Sequence, residues 1–203
     1  MSLERGGGKI QAKTLQLKII LDGVKPPIWR RFLVKNSMTF RDLHKIIQIV
    51  MGWEDYHLYE FSVNDLRIED AERFSVDSMW KAFRPKAETE SAKRTRLSEL
   101  LKTEKQKFSY LYDFGDSWRH TVVVEKILDD GERETPACLA GERACPPEDC
   151  GGVWGYEELL KIKEDKNHPL YQERIVEWLG EGFDPESFDL DGVNEALSSL
   201  ERE

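Results

Sequence analysis

Leu15, Leu17, Ile19 and Leu21 recur at every second position, the period of a half-buried strand. Asp22-Gly23 offers a turn, and Ile28 to Lys35 reads as the returning strand. Pro26-Pro27 sits at its mouth, where a missing N–H removes no ladder bond. The period then changes. Phe40, Leu43, Ile46, Ile47, Val50 and Met51 are spaced by threes and fours, so they share one face of a helix that Thr39 caps and Gly52 ends. Leu58 to Val63 predicts a third strand, and Asn64-Asp65 a turn into a short fourth, Leu66 to Ile68.

Residues 69–96 are mixed and charged, with few apolar positions, and read as an excursion; Leu97 to Leu101 supplies a helical turn. Phe108 to Phe114 and Trp118 to Leu128 predict two strands joined through Gly115-Asp116-Ser117, a hairpin, and Asp129-Asp130-Gly131 a further turn. Residues 135–155 hold Pro136, Pro146, Pro147 and several glycines without periodicity, the mark of a long ordered or functional loop. Helices are expected at about 156–164, 169–179 and 190–201. The prediction is an α+β fold: a flexible tail over 1–12, then one domain over 13–203 with an antiparallel or mixed sheet. Within it, 13–68 has a β-grasp-like strand–strand–helix–strand order, 69–107 is the charged excursion, and 108–203 carries the hairpin, the loop and C-terminal helices packed on one face.

The chain has 203 residues, 39% hydrophobic and 34% charged, with six Trp, six Tyr and nine Phe, which excludes disorder throughout. No run approaches ~18 apolar residues, so no membrane span is expected, and the N-terminus lacks the apolar stretch of a secretory signal. Three cysteines, Cys138, Cys145 and Cys150, lie in one short window. That odd, clustered set suits a reducing cytoplasm better than a secreted disulfide framework. The formal net charge of −9 is unevenly spread. Residues 1–110 carry 21 Lys and Arg against 15 Asp and Glu, and residues 111–203 carry 9 against 24. An acidic C-terminal half repels a phosphate backbone, which disfavours tight autonomous nucleic-acid binding and leaves only weak contact through the basic N-terminal half, or through a protein partner.

Three strings carry a resemblance: TFRDLHKIIQIVMGWEDYHLYEF from Thr39 to Phe61, YLYDFGDSWRHTVVVE from Tyr110 to Glu125, and PACLAGERACPPEDCGGVWGY from Pro136 to Tyr156. In this order and spacing the chain resembles the plasmid pRiA4b ORF-3-like family, sometimes described as transposon passenger proteins with a resolvase-like name. The resemblance runs from about residue 13 to residue 200. It implies an α+β fold and, in some members, association with mobile elements; it implies no established reaction. The residues argue against recombination. Ser37 and Ser62 lack the arginine setting of a serine recombinase, and none of His44, His57, His120 or His168 has Arg three positions on.

Chemistry is expected at two places. Asp113, Asp116 and His120 gather around the hairpin, where a carboxylate beside an imidazole suits general acid–base work or metal binding; turn capping and a core histidine explain the same residues. Glu148 and Asp149 are adjacent carboxylates in a proline-stiffened loop ahead of Gly151-Gly152 and a helix, where they suit a cation or proton transfer, or simply satisfy the helix N-terminus. Cys138, Cys145 and Cys150 with His120 form a zinc option, against which stand the absent Cys-x2–4-Cys knuckles and the ordinary burial of reduced thiols. Trp29, Arg30, Arg31, His44, Trp53, Tyr56, His57 and Tyr59 make an aromatic–basic cluster, read mainly as core with snorkelling arginines. Two functions follow: an accessory or interaction protein, or a metal-assisted hydrolase with its site between the 113–120 hairpin and the 145–152 loop. No cofactor is established by the sequence; a divalent metal is an option it leaves open.

Overall fold

Strands β1 (Lys13–Leu21) and β2 (Trp29–Lys35) form an antiparallel hairpin in which Leu15, Leu17, Ile19 and Leu21 are buried, as their alternation dictates. The computed structural model describes residues 12–70, 88–129 and 134–200. The expected tail up to residue 11, residues 71–87 of the expected excursion and the turn at Asp130-Gly131 lie outside the described residues.

Helix α1 (Phe40–Met51) starts where the sequence places it. Asp42 N–H donates to Thr39 Oγ1 at 3.2 Å while Thr39 N–H donates to Asp42 Oδ2 at 2.8 Å, a reciprocal capping box. Gly52 closes the helix with φ 89° and its N–H on Gln48 O. Phe40, Leu43, Ile46, Ile47, Val50 and Met51 are all buried. Each contributes about 1.5–3 kcal/mol on burial, against about 1 kcal/mol for the cap, so packing holds the helix and the cap sets its start.

Among the described residues the remaining elements are β3 (Tyr59–Val63), β4 (Leu66–Glu69), β5 (Thr89–Ser91), α2 (Leu97–Leu100), β6 (Lys107–Tyr112), β7 (Trp118–Asp129), β8 (Ala137–Glu142), α3 (Gly152–Glu164), α4 (Gln172–Leu179) and α5 (Leu190–Leu200). The eight described strands join one sheet in the order β5-β4-β3-β6-β7-β1-β2-β8, antiparallel except for β4 with β5. The chain is thus one mixed α+β domain. The strand–strand–helix–strand order of its first portion is present, but β6 and β7 lie between β1 and β3.

Two differences from the sequence reading stand out. The stretch expected to be loop over 135–155 contains β8, which pairs with β2 with a register shift between Arg31 and Phe32. Helix α4 is wound as a π-helix over eight residues.

Arg30, 2% exposed, ties the second half of the chain to the first. Its guanidinium donates to the carbonyls of Val50, Trp29, Glu142 and Arg143 at 2.7–2.8 Å, joining β2 to the end of α1 and to β8. Burial lowers its pKa, yet the negative end of the α1 dipole and the carbonyl cage favour the cation. Helix α5 lies against α1 and β8. There the Asn194 side chain takes both outward backbone groups of Cys138: Cys138 N–H donates to Asn194 Oδ1 at 2.8 Å, and Asn194 Nδ2 donates to Cys138 O at 3.0 Å.

Candidate metal centre

The turn between β6 and β7 and the loop after β8 meet beside the segment that leaves α1. Asp113 begins the turn with φ 54°, and its backbone N–H donates to Leu58 O at 2.9 Å, fastening the turn to the start of β3. Its Oδ1 accepts from Gly115 N–H at 2.8 Å, which leaves Oδ2 directed at His57. At the far side of the same turn, Asp116 Oδ2 accepts from Gly151 N–H at 3.0 Å. A Cβ on Gly152, where φ is +68°, would stand 2.4 Å from Asp116 O, so only glycine allows turn and loop to close this tightly.

Trp53 anchors the loop from the other direction. Its Nε1–H donates to Pro146 O at 3.0 Å, and its ring stacks on Tyr112 at 4.9 Å. Tyr112 Oη–H donates to Glu148 Oε1 at 2.9 Å, and Glu54 N–H reaches the same oxygen at 3.0 Å. Burial, then the bond to Glu148, pushes the Tyr112 phenol well above its ordinary range, so it remains a donor. With Oε1 doubly engaged, Glu148 Oε2 is buried without a hydrogen-bond partner, and so is His57 Nε2.

These unspent atoms converge. His57 Nε2 lies 3.1 Å from Asp149 Oδ1, 3.8 Å from Asp113 Oδ2 and 3.8 Å from Glu148 Oε2. Among the described residues, His57, Asp113 and Asp149 are the one group of three or more His, Cys, Asp or Glu whose ligand atoms all lie within 4.8 Å of one another. An ion about 2.1 Å from each donor sets neighbouring donors roughly 3.0–3.4 Å apart in octahedral or tetrahedral geometry. The His57–Asp149 separation falls in that range, the 3.8 Å from His57 to Asp113 lies above it, and Glu148 stands outside the group of three, so His57, Asp113 and Asp149 are the set that contraction would bring onto one cation.

The other residues singled out in the sequence lie elsewhere. Asp116 is spent on the loop. His120 is fully buried on β7, its ring 5.3 Å from Trp53 and 5.4 Å from Tyr110, with Nδ1 3.3 Å from Tyr110 O. Desolvation lowers its pKa to about 3, which keeps it neutral. Among the described residues, Cys138, Cys145 and Cys150 are free thiols that form no metal-sized group with each other or with His120. Cys138 Sγ faces the carbonyls of Arg31 and Ala140. Burial raises all three thiols; Cys150, also beside the Asp116 charge, is pushed up to about 12.

His57, which the sequence groups with the aromatic–basic cluster, is the imidazole of the site. That cluster otherwise divides. His44 is buried, stacked on Tyr59 at 3.5 Å, with Nδ1 2.8 Å from Tyr110 Oη and Nε2 2.7 Å from Asp55 Oδ1. Gln48 completes a closed network, donating to Tyr110 Oη and accepting from Asp55 N–H, and so fixes the segment that carries His57. Arg31 forms a bidentate pair with Glu125. Tyr56, 69% exposed, donates to Glu54 beside the site.

Comparisons with known proteins give three findings. A family model described as plasmid pRiA4b ORF-3-like protein matches residues 13–192. An uncharacterized protein, y4hQ, of Sinorhizobium fredii (strain NBRC 101917 / NGR234) is 33% identical over 191 residues, covering 93% of each chain. The crystal structure of a protein of unknown function, MM3350, from Methanosarcina mazei Go1 is similar over 88% of this chain and 96% of its own, at 41% identity and a TM-score of 0.74. No helix among the described residues is long and apolar enough to cross a membrane.

Proposed function

The chain belongs to the plasmid pRiA4b ORF-3-like family, and within it we propose a divalent-metal-dependent hydrolase whose cation is held by His57, Asp113 and Asp149, with Glu148 as the base. One observation carries this reading: ionisable side chains from three separate segments point unspent atoms at one place, with His57 Nε2 3.1–3.8 Å from three carboxylates. A buried polar atom without a hydrogen-bond partner costs on the order of 1–3 kcal/mol, and a cation would offset that cost for His57 Nε2.

The mixed donor set, one imidazole with carboxylates, suits a first-row divalent ion such as Mn2+ or Zn2+ better than an all-oxygen Ca2+ cage. His57, Asp113 and Asp149 would hold such an ion, which would supply Lewis acidity at the site. The protein supplies the rest. Tyr112 and Glu54 N–H hold Glu148 Oε1, so that Oε2 faces the site, where it would serve as a general base. Asp149 and His57, both partly exposed, leave the solvent side open to substrate.

Metal-stripped protein titrated with Mn2+ in a calorimeter is expected to take up one equivalent. His57→Ala and Asp149→Asn each weaken uptake at least tenfold, since each removes a donor. Glu148→Gln keeps uptake and loses hydrolysis of ester or phosphate-ester substrates. Wild-type affinity in His57→Ala, or no uptake by the wild type, overturns the reading. Uptake without turnover of any ester makes the centre a structural clip and returns the chain to the accessory role.

A further inference from the structure

Helix α1 packs on the sheet face that carries Phe61 and Phe108, with the Phe40 ring centroid 5.2 and 6.3 Å from theirs. Alternate residues of each strand turn to the opposite face, where Lys107, Ser109, Arg119 and Lys126 are exposed. Strand register arranges that face in rows. Lys107 stands opposite Val123, Val123 opposite Lys18, and Lys18 opposite Arg31, so one row crosses β6, β7, β1 and β2. At about 4.8 Å between strands, the row is about 14 Å long. The next row towards the β6–β7 turn is Ser109, Thr121, Ile20 and Trp29, and Ser62 on β3 extends it.

The first row is cationic. Lys18 Nζ lies 4.1 Å and the Arg31 guanidinium 5.2 Å from the centroid of the Trp29 ring, and Trp29 Nε1–H donates to Glu142 Oε2 at 2.9 Å, which fixes the indole. The neighbouring acids are engaged: Glu125 by Arg31 and Gln16, and Glu60 by Arg67. None of Lys107, Arg119 and Lys126 forms an ion pair with a described residue.

Lys107 also lines a cavity of about 500 Å³, with Asn64, Lys102, Thr103 and Lys105 among its other walls. Glu104, the one acid among the lining residues, turns its Oε1 to Ile127 N–H at 3.0 Å. The three lysines sit on a fixed segment. Lys105 N–H donates to Val124 O at 2.7 Å, Val124 N–H donates to Gln106 O at 2.9 Å, and the Gln106 side chain joins Lys102 N–H to Leu100 O. The carboxylates of the cation centre are at the other end of β6: Asp113 follows Tyr112, and the strand from Lys107 to Tyr112 spans about 17 Å.

We propose that this face binds single-stranded nucleic acid, with phosphates on Lys102, Lys105, Lys107 and Lys18 and a base on Trp29 in place of the lysine that covers it. Charge complementarity selects a polyanion, and the hydroxyls of Ser109 and Thr121 offer donors to its phosphate or sugar oxygens. The indole offers a stacking platform, which an acidic peptide would leave unused. A broad sheet face enters neither groove of a duplex, which selects single strands. The net charge of −9 opposes tight binding, so the affinity is modest and salt-sensitive. This surface is separate from the cation centre and does not depend on it.

Anisotropy of labelled oligothymidylate and oligouridylate of about twelve residues, at low salt in EDTA, tests the proposal. Saturable binding with a dissociation constant on the order of micromolar is expected, and log affinity falls against log salt with a slope of roughly −2 to −3 for three or four phosphate contacts. The double variant Lys105→Gln, Lys107→Gln weakens binding about tenfold and reduces the slope by about 1.4. Trp29→Leu weakens it about fivefold and leaves the slope unchanged. Lys166→Gln, between α3 and α4, binds as wild type, and so does His57→Ala, which loses Mn2+. A duplex of the same length and a polyglutamate peptide of matched charge bind more weakly than the single strands. No saturable binding of either oligonucleotide by the wild type, or wild-type affinity in the folded double lysine variant, overturns the proposal. Polyglutamate bound as tightly as the oligonucleotides also overturns it and makes the face a dock for an acidic protein segment.

Discussion

Glu148 and His120 show how the surroundings of one side chain decide its use. Glu148 has one oxygen held by Tyr112 and Glu54 and the other without a hydrogen-bond partner beside His57, so one oxygen fixes the carboxylate and leaves the second turned to the cluster. His120 has the opposite fate. It alternates with Trp118 and Val122 along β7, and that alternation carries it into the core. The sequence points to His120 and leaves His57 among the core aromatics; tertiary position reverses the two, because His57 sits in a loop whose partners come from residues 113 and 148–149. Burial of neutral His120 has a pH signature. Its folded pKa of about 3 lies below the unfolded value near 6.5, so the unfolded chain binds the extra proton and stability falls as pH drops from about 6.5 towards 3. Between pH 7 and pH 5 this group costs about 2 kcal/mol. Urea unfolding at the two pH values is expected to show that much more loss in the wild type than in His120→Leu; equal losses would place the proton elsewhere.

At the level of elements, the α1 boundaries were legible because the cap residues, the apolar spacing and Gly52 all agree. β8 was not. It is a marginal strand with Cys138 as its one fully buried position, and its residues show neither period 2 nor β-branched enrichment. The π-winding of α4 leaves no mark in the apolar spacing either. Asp113, Glu148 and Asp149 were legible as acids in turn-rich segments, whereas their meeting depends on how tightly the β6–β7 turn closes on the loop. That closeness is testable at Gly152. Gly152→Ala forces a side chain into a left-handed position and against Asp116 O, and is expected to cost about 1–3 kcal/mol and to weaken Mn2+ uptake by displacing Asp149. Gly180→Ala is the control: φ is +85° there too, but nothing lies within 4 Å of the added carbon. Thermal melts should rank Gly152→Ala clearly below Gly180→Ala, and only the former should alter cation affinity.

Across the whole molecule, charge and sheet order work together. The acidic C-terminal half supplies Asp113, Glu148 and Asp149 and raises the local concentration of cations around them, an effect that weakens as salt is added. The single sheet runs from β5 to β8, and Arg30 and α5 bind its β8 end to α1. Asn194 there replaces a ninth strand by meeting both free groups of Cys138. Asn194→Ala leaves a buried N–H and C=O unpaired, and is expected to cost about 2 kcal/mol in urea unfolding and to increase light scattering at high protein concentration. Unchanged stability and scattering would show that α5 covers this margin by packing alone. A side-chain amide that imitates a peptide group also blocks that point of the margin to other chains: a neighbour that extends the ladder across Cys138 must first pry out Asn194, which interrupts the template that cross-β growth needs.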